Sequence, residues 1–372
     1  MGAAQILILG LAGLSLFLSA VAIRRDTPLT WRFAAPKGIP SQGAPKFATV
    51  FEHDITKGQA HAPSLIITDT GFDLLWFEGS AEAQADVDIY HARFEHDSEG
   101  WKAVDQGPCI TRAGLGDVME PEQLVVTLGN TIENEAHPGH VFATAVSVGG
   151  WAMASVADVK LGADGPVWAR KLNLSPFLNR SHLVKTPMVA FADGSHGLPA
   201  YFEMGPTHGI LVRFDETGRV RDTAPMRGAG KPIQPMIVPL TDTRAVAFLR
   251  DFNPSGHLLR CDTTNGGQSW SEVMPMDMNN PSAPVAALPL AEGRILMAAN
   301  DERAPNDRLN LLLSEDEGAT FRVIKELAPQ GAGARYPMLR ALTDGTILLT
   351  YSIGNKTGLR VIALNLDWVG TQ

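Results

Sequence analysis

A short phrase, a proline leading into an apolar strand, returns six times along the 372 residues and leaves little freedom in how the chain can fold. It reads His61-Ala62-Pro63-Ser64-Leu65, His137-Pro138, Lys185-Thr186-Pro187-Met188-Val189, Gln234-Pro235-Met236-Ile237, Ala283-Pro284-Val285 and Tyr336-Pro337-Met338-Leu339. The prolines lie 75, 49, 48, 49 and 53 residues apart. Most copies carry a turn soon afterwards and then a second apolar run: Asp69-Thr70-Gly71, Asp193-Gly194, Asp242-Thr243, Glu292-Gly293 and Asp344-Gly345. Such a pair of runs around a polar turn is the mark of a β-hairpin. Each period has room for four short strands, and no segment between them sustains a helical period. Six periods predict an all-β, six-bladed β-propeller, with inner strands starting near Pro63, Pro138, Pro187, Pro235, Pro284 and Pro337. Proline suits the first residue of a strand, where its missing N–H costs no ladder bond. Closing the ring removes the free sheet edges, and residues 46–51 and 359–366 are the candidates for that closure.

Composition narrows the partners. With 45% apolar and 19% charged residues the chain has an ordinary globular balance and is not disordered. Its 31 basic residues stand against 40 acidic ones, without a lysine or arginine run, which excludes nucleic acid as an expected partner. Cys109 and Cys261 lack metal-ligand spacing and read as core residues, with a long-range disulfide as the alternative.

The apolar run at residues 6–22 suits a signal peptide or a membrane anchor. Ala20-Val21-Ala22 offers small residues for cleavage, whereas Arg24-Arg25 after the run favours a cytoplasmic side for the remainder of the chain. The reading favours export: residues 1–22 as signal or anchor, 23–46 as a linker, 47–372 as the propeller, periplasmic or secreted and possibly held at the inner membrane.

A second phrase falls in register with the first: Thr263-Thr264-Asn265-Gly266-Gly267-Gln268-Ser269-Trp270 and Ser314-Glu315-Asp316-Glu317-Gly318-Ala319-Thr320-Phe321, 51 residues apart. Both fit an Asp box, S/T-x-D/N-x-G-x-T/S-aromatic. Its role is structural: the Asp or Asn side chain caps a tight turn, the glycine supplies a positive φ and the aromatic plugs the blade. Asp boxes on a six-fold propeller resemble the sialidase superfamily and its sialidase-like repeat proteins, across roughly residues 47–370. That resemblance implies an R-I-P motif, an Asp acid/base, a Tyr nucleophile with a Glu partner, and three arginines clamping a substrate carboxylate.

Laid on this sequence, the R-I-P position reads His61-Ala62-Pro63, so histidine replaces the first arginine. Asp86, 25 residues on, matches the acid/base; Arg250 and Arg308 resemble the second and third arginines; Tyr336 matches the nucleophile. The tyrosine's partner falls on Gln234, with Glu203 as the alternative. His137 and Lys185 share the pre-proline region of their blades and are candidate substrate-binding residues. No metal or cofactor is expected, because the His137-Pro138-Gly139-His140 pair has no third fixed ligand. The resemblance implies an exo-glycoside hydrolase for an acidic sugar of a glycan or extracellular polysaccharide. The alternatives are a non-catalytic glycan-binding propeller tied to polysaccharide assembly and a uronic-acid polysaccharide lyase.

Overall fold

The computed structural model describes residues 2–25, 29–97, 100–175, 179–253, 256–303 and 307–372, in two units, 1–31 and 32–372. In the first unit, Ala3–Arg25 is an α-helix, long and apolar enough over Ala3–Arg24 to cross a membrane. A signal sequence has the same character.

In the second unit each sequence period forms one sheet, antiparallel throughout except that in blade 2 the short strand Met119–Glu120 pairs parallel with Gly165–Lys171, and six sheets make a β-propeller. Inner strands are Gln59–Ile67, Thr127–Glu133, His182–Val184, Pro232–Pro239, Ala286–Pro289 and Arg335–Ala341 in blades 1 to 6. Second strands such as Gly71–Gly79 and Ile295–Ala299 are almost wholly buried, because neighbouring blades cover both faces. Outermost strands such as Met274–Asn279 alternate exposed and half-buried residues instead. Blade 6 is closed by Phe47–Asp54, paired antiparallel with Gly358–Leu364, near the segments expected from sequence.

The recurring proline has a different job from the one expected. Pro63, Pro235 and Pro337 stand inside their inner strands, at a bulge. In blade 1 the ladder passes from His61 opposite Phe77 to Ser64 opposite Leu75; blade 4 jumps from Ile233 to Met236 and blade 6 from Arg335 to Met338. Two residues leave each ladder, and proline, with no N–H, takes one of those unpaired places without loss. The residue before it is left-handed: φ is 55° at Ala62, 52° at Gln234 and 57° at Tyr336. Pro284 precedes its strand, and Pro187 sits in the gap between His182–Val184 and the short strand Val189–Ala190. Pro138 lies in the turn after its inner strand Thr127–Glu133, so blade 2 carries its bulge at Gly129 and Asn130 with no proline.

One further expectation changes, and one alternative drops out. Of the linker, the part from residue 32 onward packs on the propeller: Phe33 is fully buried, stacks on Phe191 with ring centroids 5.2 Å apart and donates its N–H to the Asp242 carbonyl. Cys109 and Cys261 are free thiols in blades 1 and 4 rather than a disulfide, both with pKa pushed up by burial, Cys109 to about 12.

Candidate functional site

Strand direction decides which residues meet. Inner strands begin, and second strands end, at one end of the propeller axis, so side chains from those two places converge there. They line a cavity of about 260 Å³. His61, Gln234, Arg335 and Tyr336 come from the starts of inner strands; Phe77, Tyr201, Glu203 and Arg250 come from the ends of second strands. Glu82, Trp151, Phe252 and Lys356 add side chains from the loops that follow the second strands. The bulges matter here, because a left-handed residue turns its side chain out of the pleat. At Gln234 and Tyr336 that side chain enters the cavity.

Arg250 organises the wall. Its Nη1 donates to the Tyr336 hydroxyl and to Gln234 Oε1, both at 3.3 Å, and its Nε donates to Ser282 Oγ at 3.1 Å. The Gln234 amide donates in turn to the Tyr201 hydroxyl at 3.2 Å. Burial, with the Glu203 charge nearby, pushes the Tyr201 phenol well above its ordinary range. Glu203 has its pKa raised by burial, against the opposing pull of Arg250. Glu82 forms an ion pair with Lys356.

His61 is buried, its ring centroid 4.4 Å from that of Tyr336 and its Nδ1 2.7 Å from Ser352 Oγ. Burial, reinforced by the surrounding cations, holds its pKa well below the usual histidine range. The imidazole is neutral at pH 7.

Of the residues singled out from sequence, His61, Glu203, Gln234, Arg250 and Tyr336 come together in this cavity. Four others do not line it. Asp86 is fully exposed, accepts hydrogen bonds from Ser80 N–H and Oγ–H, and borders a separate surface depression with Lys57 and Tyr90. Its bonds to Ser80 lower its pKa, the opposite of what a proton donor needs. Arg308 is engaged within blade 5 by Asp301 at 3.3 Å and Glu302 at 2.6 Å. His137 sits in the turn after the inner strand of blade 2, at the other end of the axis, because the proline beside it is not the blade-entry proline. Lys185 lies behind the wall, buried, with its Nζ 5.6 Å from the centre of the Tyr336 ring. Among the described residues no group of three His, Cys, Asp or Glu side chains is placed to hold a metal ion.

Sequence reasoning missed Glu82, Arg335 and Lys356. Arg335 was within reach, since it adjoins Tyr336 in the same repeated phrase. Glu82 lies in the small-residue loop 79–85, where spacing drew attention to Asp86 instead.

The fold and cavity define an Asp-box β-propeller with an axial site. The model of the BNR repeat-like domain matches residues 72–349, and the chain belongs to that family. No curated protein matches it by sequence. Among solved structures it resembles a protein of unknown function from Dyadobacter fermentans, with TM-score 0.61, 13% identity, and 86% of this chain and 99% of the other covered. It also resembles the intramolecular trans-sialidase of Ruminococcus gnavus in complex with oseltamivir carboxylate, with TM-score 0.59, 13% identity, and 87% and 98% covered. The Trypanosoma rangeli sialidase in complex with the inhibitor DANA gives TM-score 0.59 and 9% identity over 85% of this chain, which spans 56% of that larger protein. At such identities the likeness is one of fold.

Proposed function

We propose that the chain is an exo-acting glycoside hydrolase for an acidic sugar at the end of a glycan or polysaccharide. The observation that carries this reading is the Tyr336 hydroxyl in the cavity wall, bonded by Arg250 at 3.3 Å and presented on a left-handed backbone of φ 57°. Such strain persists where surrounding structure enforces it, and it clusters at sites of function. Arg250 and Arg335 are the cations placed to receive the sugar's carboxylate. Tyr336 Oη attacks the anomeric carbon as the bond to the leaving oxygen breaks, and a water then releases the sugar from tyrosine. Gln234 cannot take the phenol proton. Glu203, with its basicity raised by burial, is the carboxylate left for that task. Glu82, at the mouth, takes the acid role that the resemblance gives to Asp86: released from its pair with Lys356, it takes up a proton from solvent and passes it to the leaving oxygen as the glycosidic bond breaks.

His61 stands where the resemblance expects a guanidinium. It is shorter, neutral and has no five-donor fork, so an acidic sugar other than sialic acid is the preferred substrate. The apolar helix at residues 3–25 supports export or anchoring of this propeller outside the cytoplasm. A second reading, glycan binding without turnover, is favoured by Gln234 in the place of a carboxylate.

Incubation with a panel of acidic glycans and with fluorinated acidic-sugar probes tests both. Release of a terminal sugar and covalent labelling of Tyr336 are expected. Binding with neither release nor labelling overturns the hydrolase in favour of the second reading, and unsaturated products would indicate a lyase.

A further inference from the structure

We propose that Lys185 is a positioning residue for Tyr336: it reaches across the axis from blade 3 and sets a positive charge against the phenol ring, supporting negative charge that develops on the oxygen. This rests on the reading of Tyr336 as the reacting group. Lys185 follows the inner strand His182–Val184, yet its Nζ donates to the Pro337 carbonyl in blade 6, on the other side of the ring, at 3.1 Å. The same Nζ lies 5.6 Å from the centre of the Tyr336 ring, within cation–π range. The next residue, Thr186, donates to the Pro235 carbonyl in blade 4 at 2.6 Å. Residues 185 and 186 are thereby tied to the bulge prolines of two other blades.

A purely structural role fits poorly. Lys185 is 2% exposed, and among the described residues no carboxylate pairs with it. Burying an ammonium costs several kcal/mol, and a methionine of similar length would fill the space without that cost. The charge is placed where it acts on Tyr336 from behind while Arg250 holds the hydroxyl from the cavity side. The other charged or titratable groups around this point are His61, Arg335, Lys356, Glu203, Tyr201 and Glu82. His61 registers the Lys185 charge, which helps lower its pKa. Burial brings Lys185 itself down to about 7, so its charge is present below that pH and fades above it.

Two measurements on the full chain test this. In [ε-13C]lysine NMR, with Lys185→Met assigning the signal, Lys185 is expected to titrate near neutrality. Tyr336→Leu should shift that midpoint down by removing the ring, and Tyr336→Phe, which keeps the ring, should shift it less. A midpoint in the ordinary lysine range, or one indifferent to Tyr336→Leu, overturns the proposal. The second measurement is the rate at which a fluorinated acidic-sugar probe labels Tyr336. The wild type should slow as pH rises through neutrality; Lys185→Met should label about tenfold more slowly and lose that limb, and Lys185→Arg should move it upward. If the NMR coupling stands and no labelling occurs at any pH, the hydrolase reading fails while the contact survives. Labelling by Lys185→Met at the wild-type rate and with the wild-type pH profile overturns the positioning role.

Discussion

The Asp-box turns and the axial mouth are both built from repeated phrases, and they use polar side chains in opposite ways. In the turn Ser314 to Phe321 the side chains of Ser314, Asp316 and Thr320 answer one another within eight residues, and Glu317 reaches out, to Gly293 and to Arg244 of blade 4. Asp316 accepts from Ser314 Oγ at 2.8 Å, from Thr320 N–H at 2.9 Å and from Thr320 Oγ at 2.6 Å, and Gly318 N–H donates to Ser314 Oγ at 2.8 Å. Phe321 then packs edge-on against Phe248 of the neighbouring blade, 5.7 Å between centroids. Gly318 is required twice over: φ is +78°, and an added Cβ would lie 2.5 Å from the Phe248 ring. The mouth is the reverse. Beside the bond from Arg250 to Gln234 within blade 4, its polar residues reach other blades, Arg250 to Tyr336 and Gln234 to Tyr201; Gln234 and Tyr336 stand on left-handed backbone, and a cavity lies between them. A motif whose caps are local secures a turn; one that also needs partners from other blades takes shape only when the ring closes.

Substitutions in the two regions should therefore separate activity from stability. Tyr336→Phe is the most severe: kcat/KM for the preferred acidic glycan should fall about 1000-fold with the melting temperature little changed. An active Tyr336→Phe would remove the tyrosine from the reaction. Arg250→Lys should lose about 10- to 100-fold in kcat/KM, since a point charge cannot bond the hydroxyl, Gln234 and a substrate carboxylate together. Steady-state kinetics on the same glycan checks this, and wild-type values would refute the clamp.

Lys185 links the mouth to stability through pH. Its folded pKa is lowered to about 7 from 10.5, so between those values the unfolded chain holds the proton more tightly and stability rises with pH. The full cost is present below about 7. Denaturant titrations should accordingly show wild type gaining on Lys185→Met by about 4 kcal/mol from pH 7 to 10.5. A constant difference would contradict a buried, titrating lysine.

The smallest effects belong to the box and the rim. Asp316→Ala should cost about 1 kcal/mol, from the lost turn cap, and leave turnover untouched. The bonds from Thr320 lower the Asp316 pKa to about 2, so its contribution holds above the ordinary carboxylate range and is lost as pH falls towards 2. Thermal melts at pH 7 and pH 2 check both statements. Asp86→Asn should keep wild-type kcat/KM, and a large loss there would return the acid role to Asp86 over Glu82.

The sequence by itself determined the period, the six blades and the Asp boxes, because each is written in local chemistry. A proline without an N–H, a glycine at positive φ and an Asp that caps its own turn need no distant partner to be read. Tertiary structure decided which polar residues share a cavity. His137 and Tyr336 stand in the same local phrase, yet one lies in a turn beyond its inner strand and the other in a bulge at the strand's start, a distinction made by pairing with the second strand. Asp86 and Glu82 are four residues apart in one loop, and which of them meets the cavity depends on how that loop lies against Gln59 and Lys356. Lys185 reaches across the ring to the Pro337 carbonyl of a blade three periods away. Such contacts depend on closure of all six sheets, and no spacing along the chain records them.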